Sequence, residues 1–202
     1  MAIVIDGSSA AGLVNLGSNG TISNLAVGGL PDGTVDGDTL ASGVGGKILQ
    51  VLQTVNSTMV SEAVADSTWE DISGLSVAIT PSATSSKVLV FYRVAVATTS
   101  GQYNTRLRIV RDSTAIGLGD QTGSNRPRAT TAGWSPANAY HIIGAHNTMF
   151  LDSPNTTSAT TYKLQWTDSY GQTLYMNRSV NDSDTKYYAS QASHITVMEV
   201  GA

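Results

Sequence analysis

A compositional seam near residue 46 constrains this chain more than any other feature. Residues 1–46 hold 11 of the 20 glycines and four aspartates (Asp6, Asp32, Asp36 and Asp38), with no Lys, Arg or aromatic residue. All eleven basic residues, all eight Tyr, both Phe and all three Trp come after it. A segment so poor in large side chains cannot bury enough apolar surface to offset the entropy lost on ordering its backbone. Residues 47–202 can. The expected organisation is an extended glycine-rich N-terminal arm, 1–46, held by sister subunits or a larger assembly, and a folded head, 47–202.

Within the arm, short apolar pulses such as Ile3-Val4-Ile5 alternate with turn chemistry, Gly-Ser-Asn-Gly at 17–20 and Pro-Asp-Gly at 31–33. They are too short for amphipathic helices and suit extended segments that pair with neighbouring chains. The formal charge of -4 resides in the arm, because the head carries eleven acids and eleven bases. Counterion release on nucleic acid needs clustered Lys and Arg, so a neutral head argues against a nucleic-acid partner. Only 13% of residues are charged, about half the usual share, and Ser and Thr, at 24 each, supply the polarity. With no cysteine there is neither a disulfide staple nor a thiolate site. The first residues lack a basic n-region, which predicts no signal peptide, and no apolar run approaches ~18 residues, which predicts no membrane insertion.

The head reads as a procession of short strands. Candidates are 47–55, 58–64, 74–80 (stopped by Pro81), 87–97, 103–111, 139–151, 160–167, 173–176 and 194–200. Lys87–Ala97 is the longest apolar run and the candidate central strand. Around Leu107 and Ile109 the alternation with Arg106 and Arg108 is strict. Helix signals are nearly absent. About nine strands with turn-rich links predict an all-β protein, an antiparallel β-sandwich of jelly-roll-like form. The period of two nominates Leu89, Phe91, Leu107, Ile109, Leu164, Trp166, Ile195 and Val197 for the core.

The phrases GKILQVLQTV, GLSVAITPSATSSKVLVFYRV, RLRIVRDST, MFLDSPNTTSATTYKLQW, LYMNRS and SHITVMEVG run in order along the head. Together they resemble the receptor-side or tip domains of fibre proteins from tailed bacteriophages of the marine and cyanophage type. The resemblance implies a virion structural protein, a homotrimer with a jelly-roll-like head, sitting on a tail or decorating a capsid. Partners would be other virion proteins, through residues 1–46, and a host surface glycan or protein. The short arm, with no long shaft, separates this chain from large tail fibres.

Candidate chemistry is thin. No G-x-S-x-G elbow occurs, and Cys is absent. His141 and His146 differ by five along a strand and so point to opposite faces; His194 stands apart. Asp32, Asp36 and Asp38 imitate part of a calcium loop, but the spacing is wrong and no bidentate Glu follows. Glu70-Asp71 and Asp182/Asp184 are the carboxylate pairs, and both read as turn residues rather than the facing walls of a glycosidase cleft. The expectation is no catalytic residue, no cofactor and no metal. Binding has a better candidate in the long weakly apolar stretch 117–138. Arg126, Arg128 and Trp134, with Tyr140 just beyond, make it the expected contact loop, since rings and guanidinium groups dominate interfaces and sugar sites. Tyr103 and the pair Tyr187-Tyr188 also flank polar loops. A carbohydrate-binding module is the rival reading these aromatics would serve.

Overall fold

A computed structural model describes residues 47–99, 104–134 and 141–202, without the side chains of Asn104 and Trp134. The arm, with Asp32, Asp36 and Asp38, lies outside the described residues, as do Tyr103 and Tyr140. Eleven strands make up the described part: β1 Ile48–Asn56, β2 Val60–Ala63, β3 Glu70–Ile79, β4 Lys87–Thr98, β5 Asn104–Arg111, β6 Thr114–Ile116, β7 Thr131–Trp134, β8 Gly144–Asp152, β9 Thr160–Thr167, β10 Thr173–Met176 and β11 Ser193–Val200. The protein is an all-β antiparallel sandwich. No helix occurs among the described residues, so none there could cross a membrane.

The first sheet runs β1-β11-β4-β8, and β10 and then β2 continue beside the far end of β4 on the side of β11. The second runs β3-β9-β5, with β6 and β7 in tandem along the other edge of β5. Inward side chains alternate as a pleated strand requires. Val88, Val90, Tyr92, Val94, Ile195 and Val197 of the first sheet meet Ile72, Leu75, Leu107, Ile109, Leu164 and Trp166 of the second, and all are buried. At one seam, side chains of β1 reach the β3 region: Thr54 Oγ1 donates to the Ser76 carbonyl at 2.7 Å and Gln50 Nε2 to that of Thr80 at 2.8 Å. β3 carries a register shift between Asp71 and Ser76, where Gly74 adopts φ +74, a conformation glycine reaches without a Cβ penalty.

Six of the eight nominated core residues point inward; Leu89 and Phe91 do not. Their neighbours Val88, Val90 and Tyr92 take the core at 0% exposure, and Leu89 and Phe91 stand half-buried on the outer face of the first sheet. Lys87–Ala97 is apolar on both faces, so its own pattern does not set its phase. Tyr92 fixes it instead, because its buried hydroxyl finds Thr131 Oγ1 at 2.7 Å across the sandwich. Glu70 and Asp71 also differ from expectation: both lie in β3, not in a turn, and Asp71 there accepts from Lys163 Nζ and Gln165 Nε2, each at 2.7 Å. The stretch 117–138 is not one uninterrupted loop, because β7 pairs with Asn104–Leu107 of β5.

Candidate functional site

Two surfaces stand out. The first is the outer face of the four-stranded part of the first sheet. The register aligns Val51, Met198, Leu89 and Leu151 in one row across β1, β11, β4 and β8. The next row is Gln53, Thr196, Phe91 and Met149, and the third Val55, His194, Arg93 and Asn147. One complete row and half the remaining positions are therefore apolar or aromatic. Met149 is 66% exposed, Val55 57% and Val51 53%. Four strands about 4.8 Å apart and three rows about 7 Å apart cover on the order of 400 Å². Eight of its twelve positions are apolar or aromatic and four (Gln53, Thr196, Arg93 and Asn147) are polar, a mixed face of the kind found at protein interfaces.

The second is a cleft of about 400 Å³ on the second sheet. The connection between β6 and β7 forms one wall. It closes on itself: the Gly119 amide donates to the Ala129 carbonyl at 3.2 Å and Arg128 Nε to the Gly119 carbonyl at 2.8 Å. Its base is tied to β5 by the Thr130 amide on the Leu107 carbonyl at 2.9 Å. The opposite wall is the turn before β3, where Ser67 sits at φ 55 and its amide donates to the Asp168 carbonyl. Trp69 leaves that turn half-buried, and the Arg108 guanidinium of β5 stacks over its ring at 4.3 Å from the centroid. Arg108 Nε is held by Gln165 Oε1 at 2.8 Å. Burial pulls the Arg108 pKa down, and the Asp71 charge beyond Gln165 opposes this.

Of the four sequence candidates, the structure brings Arg126 and Arg128 into this cleft. Trp134 has its backbone in β7, opposite Asn104, and Tyr140 lies outside the described residues. Trp69 and Arg108 were missed by sequence reading. Arg108 looked like the polar side of an alternating strand, and Trp69 is a single aromatic with no motif around it. Tyr187 is 73% exposed beside a separate surface depression lined by Asp182, Asp184 and Tyr188.

The histidines do not converge. His141 is exposed before β8, His194 packs on Phe91 with ring centroids 5.5 Å apart, and His146 is buried. Burial pulls the His146 pKa down to about 4. Among the described residues, no group of three His, Asp or Glu is placed to hold a metal ion. Two of the buried carboxylates, Asp152 and Glu199, are engaged structurally, whereas Asp168 accepts from the Tyr170 amide through Oδ1 and its Oδ2 has no hydrogen-bond partner among the described residues. Asp152 accepts from Arg111 Nη1 at 2.8 and 2.9 Å and from the Tyr162 hydroxyl at 2.7 Å. Glu199 accepts from the Ser82 amide at 2.7 Å and from its hydroxyl and Gln50 Nε2, each at 2.6 Å.

The fold and these surfaces define an all-β sandwich with an apolar outer sheet and a basic cleft. No family model matches the chain, and no curated protein matches it. Among solved structures, the chain is similar to VP2 in the subviral particle of infectious bursal disease virus, with 12% identity and a TM-score of 0.43 over 75% of this chain and 32% of that one. It is likewise similar to a chain in the structure of the Gx strain of that virus, with 11% identity and a TM-score of 0.38 over 76% and 36%. The chain spans about a third of the length of these two.

Proposed function

We propose that this protein is a non-enzymatic virion structural protein of the tailed-phage fibre or decoration kind. Its heads assemble as a homotrimer, and residues 1–46 anchor it to other virion proteins. One observation carries the reading: on the outer face of the first sheet Val51, Met198, Leu89 and Leu151 form a complete apolar row, with Met149 and Val55 more than half exposed beside it. The phage-fibre phrases of the head support the same class. At on the order of 400 Å², the face supplies about half of what one partner contributes to a standard interface, and polar residues around it supply the rest. Many copies displayed together turn weak contacts with a host surface into stable attachment.

The test is light scattering on the 202-residue chain beside its variant Met149→Asp with Leu151→Asp. Both residues are exposed on an edge strand, so each substitution leaves the core untouched. A trimer for the native chain and a folded monomer for the variant is the expected result. A native chain that stays monomeric at micromolar concentration refutes assembly through this face.

A further inference from the structure

We infer that the cleft between the β6–β7 connection and Trp69 binds an acidic saccharide, a sugar ring bearing a carboxylate or phosphate. Three guanidinium groups line it, from Arg108, Arg126 and Arg128, and no Asp or Glu does. Neutrality of the head as a whole makes this local excess a feature of the site. Arg126 and Arg128 have no carboxylate partner among the described residues, while Arg108 feels the Asp71 charge at longer range. Arg126 makes no hydrogen bond or ion pair among the described residues. Arg128 and Arg108 are each anchored through Nε, at 2.8 Å to Gly119 and Gln165. Anchoring at Nε orients a guanidinium and leaves its paired Nη donors for a planar anion, the fork that suits carboxylate and phosphate.

The rest of the lining says that the anion comes on a hydroxylated ring. Trp69 lines the cleft with the Arg108 guanidinium over its ring, and the part of the ring left exposed gives an apolar aromatic surface against which sugar C–H groups can rest. Gln121 and Asn125 line the loop side; Gln121 Nε2 donates to the Gly123 carbonyl at 3.1 Å and Asn125 Oδ1 accepts from Ser124 Oγ at 3.4 Å, and the remaining capacity of each amide can pair with sugar hydroxyls. A volume of about 400 Å³ falls in the range for small-ligand sites and takes one or two sugar rings. The cleft is open and polar, so single-site affinity is expected near ~1 mM, adequate for a protein displayed in many copies. The inference does not require the outer sheet to be an interface, and its test uses a different observable.

Tryptophan fluorescence and calorimetry would follow titration of the 202-residue chain with digalacturonate, glucose 6-phosphate, neutral maltose and inorganic phosphate, at low and high salt. The two acidic sugars separate a carboxylate source from a phosphate source. Saturable binding of at least one, weakened by salt, with no response to maltose, is expected. Arg126→Ala with Arg128→Ala should lower affinity at least ~10-fold with unchanged melting, since both side chains are exposed. Trp69→Phe should remove the fluorescence change, which assigns it to this ring rather than to Trp134 or Trp166. No binding by ~10 mM overturns the inference. Equal binding of maltose overturns the acidic class, and equal binding of inorganic phosphate reduces the site to a bare anion hole and overturns the saccharide.

Discussion

His146 should make the head lose stability in mild acid, well above the range where carboxylates titrate. Its ring lies between the sheets, with its Nδ1 3.5 Å from Thr131 Oγ1 and its side chain against Gly133. The small void beside it is lined by Val96, Ala97, Thr98, Thr105 and Gly144, none of which is a carboxylate. No carboxylate there stabilises an imidazolium, and burial lowers the pKa from 6.5 to about 4. Between these two values the unfolded chain binds a proton that the folded chain refuses, so stability falls as pH falls. A gap of about 2.5 units corresponds to about 3 kcal/mol in full, and about 2 kcal/mol of it is lost between pH 7 and pH 5. For a head of this size that lowers Tm by about 4–8 °C. The assay is urea unfolding at pH 7, 6 and 5 for the native chain and for His146→Gln. Asp168, whose carboxyl burial raises, titrates with the opposite sign and is common to both proteins, so it cancels in the difference. The native chain should show the slope and the variant should lose it, whatever the variant's absolute stability. Parallel pH profiles would refute a buried neutral imidazole.

Other perturbations follow from the same packing. Leu107→Ala should cost about 2–5 kcal/mol, read by calorimetry, because the side chain is fully buried, while Met149→Ser should stay within about 0.5 kcal/mol for the isolated head. Asp152→Ala strands Arg111 and the Tyr162 hydroxyl and should cost about 3 kcal/mol in urea unfolding. Gly133→Ala would place a Cβ 2.5 Å from His146 Cε1 and should cost about 1–3 kcal/mol by overpacking. Burial pushes the Glu199 carboxyl up, but hydrogen bonds from Ser82, Gln50 and Ser86 outweigh it and bring it to about 2. Its contribution is therefore present above pH 4.5 and lost as pH falls towards 2, and Glu199→Gln should flatten acid unfolding in that window.

The sandwich was legible because period-two alternation is strong where one face is wet. Leu107 and Ile109 against Arg106 and Arg108 declare their faces outright, and both leucine and isoleucine are buried as expected. Legibility failed where both faces are apolar. In Lys87–Ala97, either parity satisfies a core, and the choice rests on a long-range bond between Tyr92 and Thr131, 39 residues apart. That failure is informative. A strand that is apolar on both sides leaves its outer face apolar when only the inner one meets the second sheet. Misplacing Leu89 and Phe91 in the core and finding an apolar outer sheet are the same physical fact.

The cleft illustrates a different limit. Its pieces come from the turn before β3, from the wet side of β5 and from the β6–β7 connection, and none has a local motif. Arg126 and Arg128 could be nominated because a long connection with rigid, charged content is seldom passive. Trp69 could not, because its significance is its position against Arg108, set by the lateral order of β3, β9 and β5 in the second sheet. Composition can show that a head is neutral in sum; only the pairing of strands shows where the positive charges are gathered. Here the acids are occupied elsewhere: Asp71 by Lys163 and Gln165, Asp152 by Arg111. Asp71 also acts on Arg108 at longer range, so it is Arg126 and Arg128 above all that leave the cleft with the positive excess on which the proposed acidic saccharide depends.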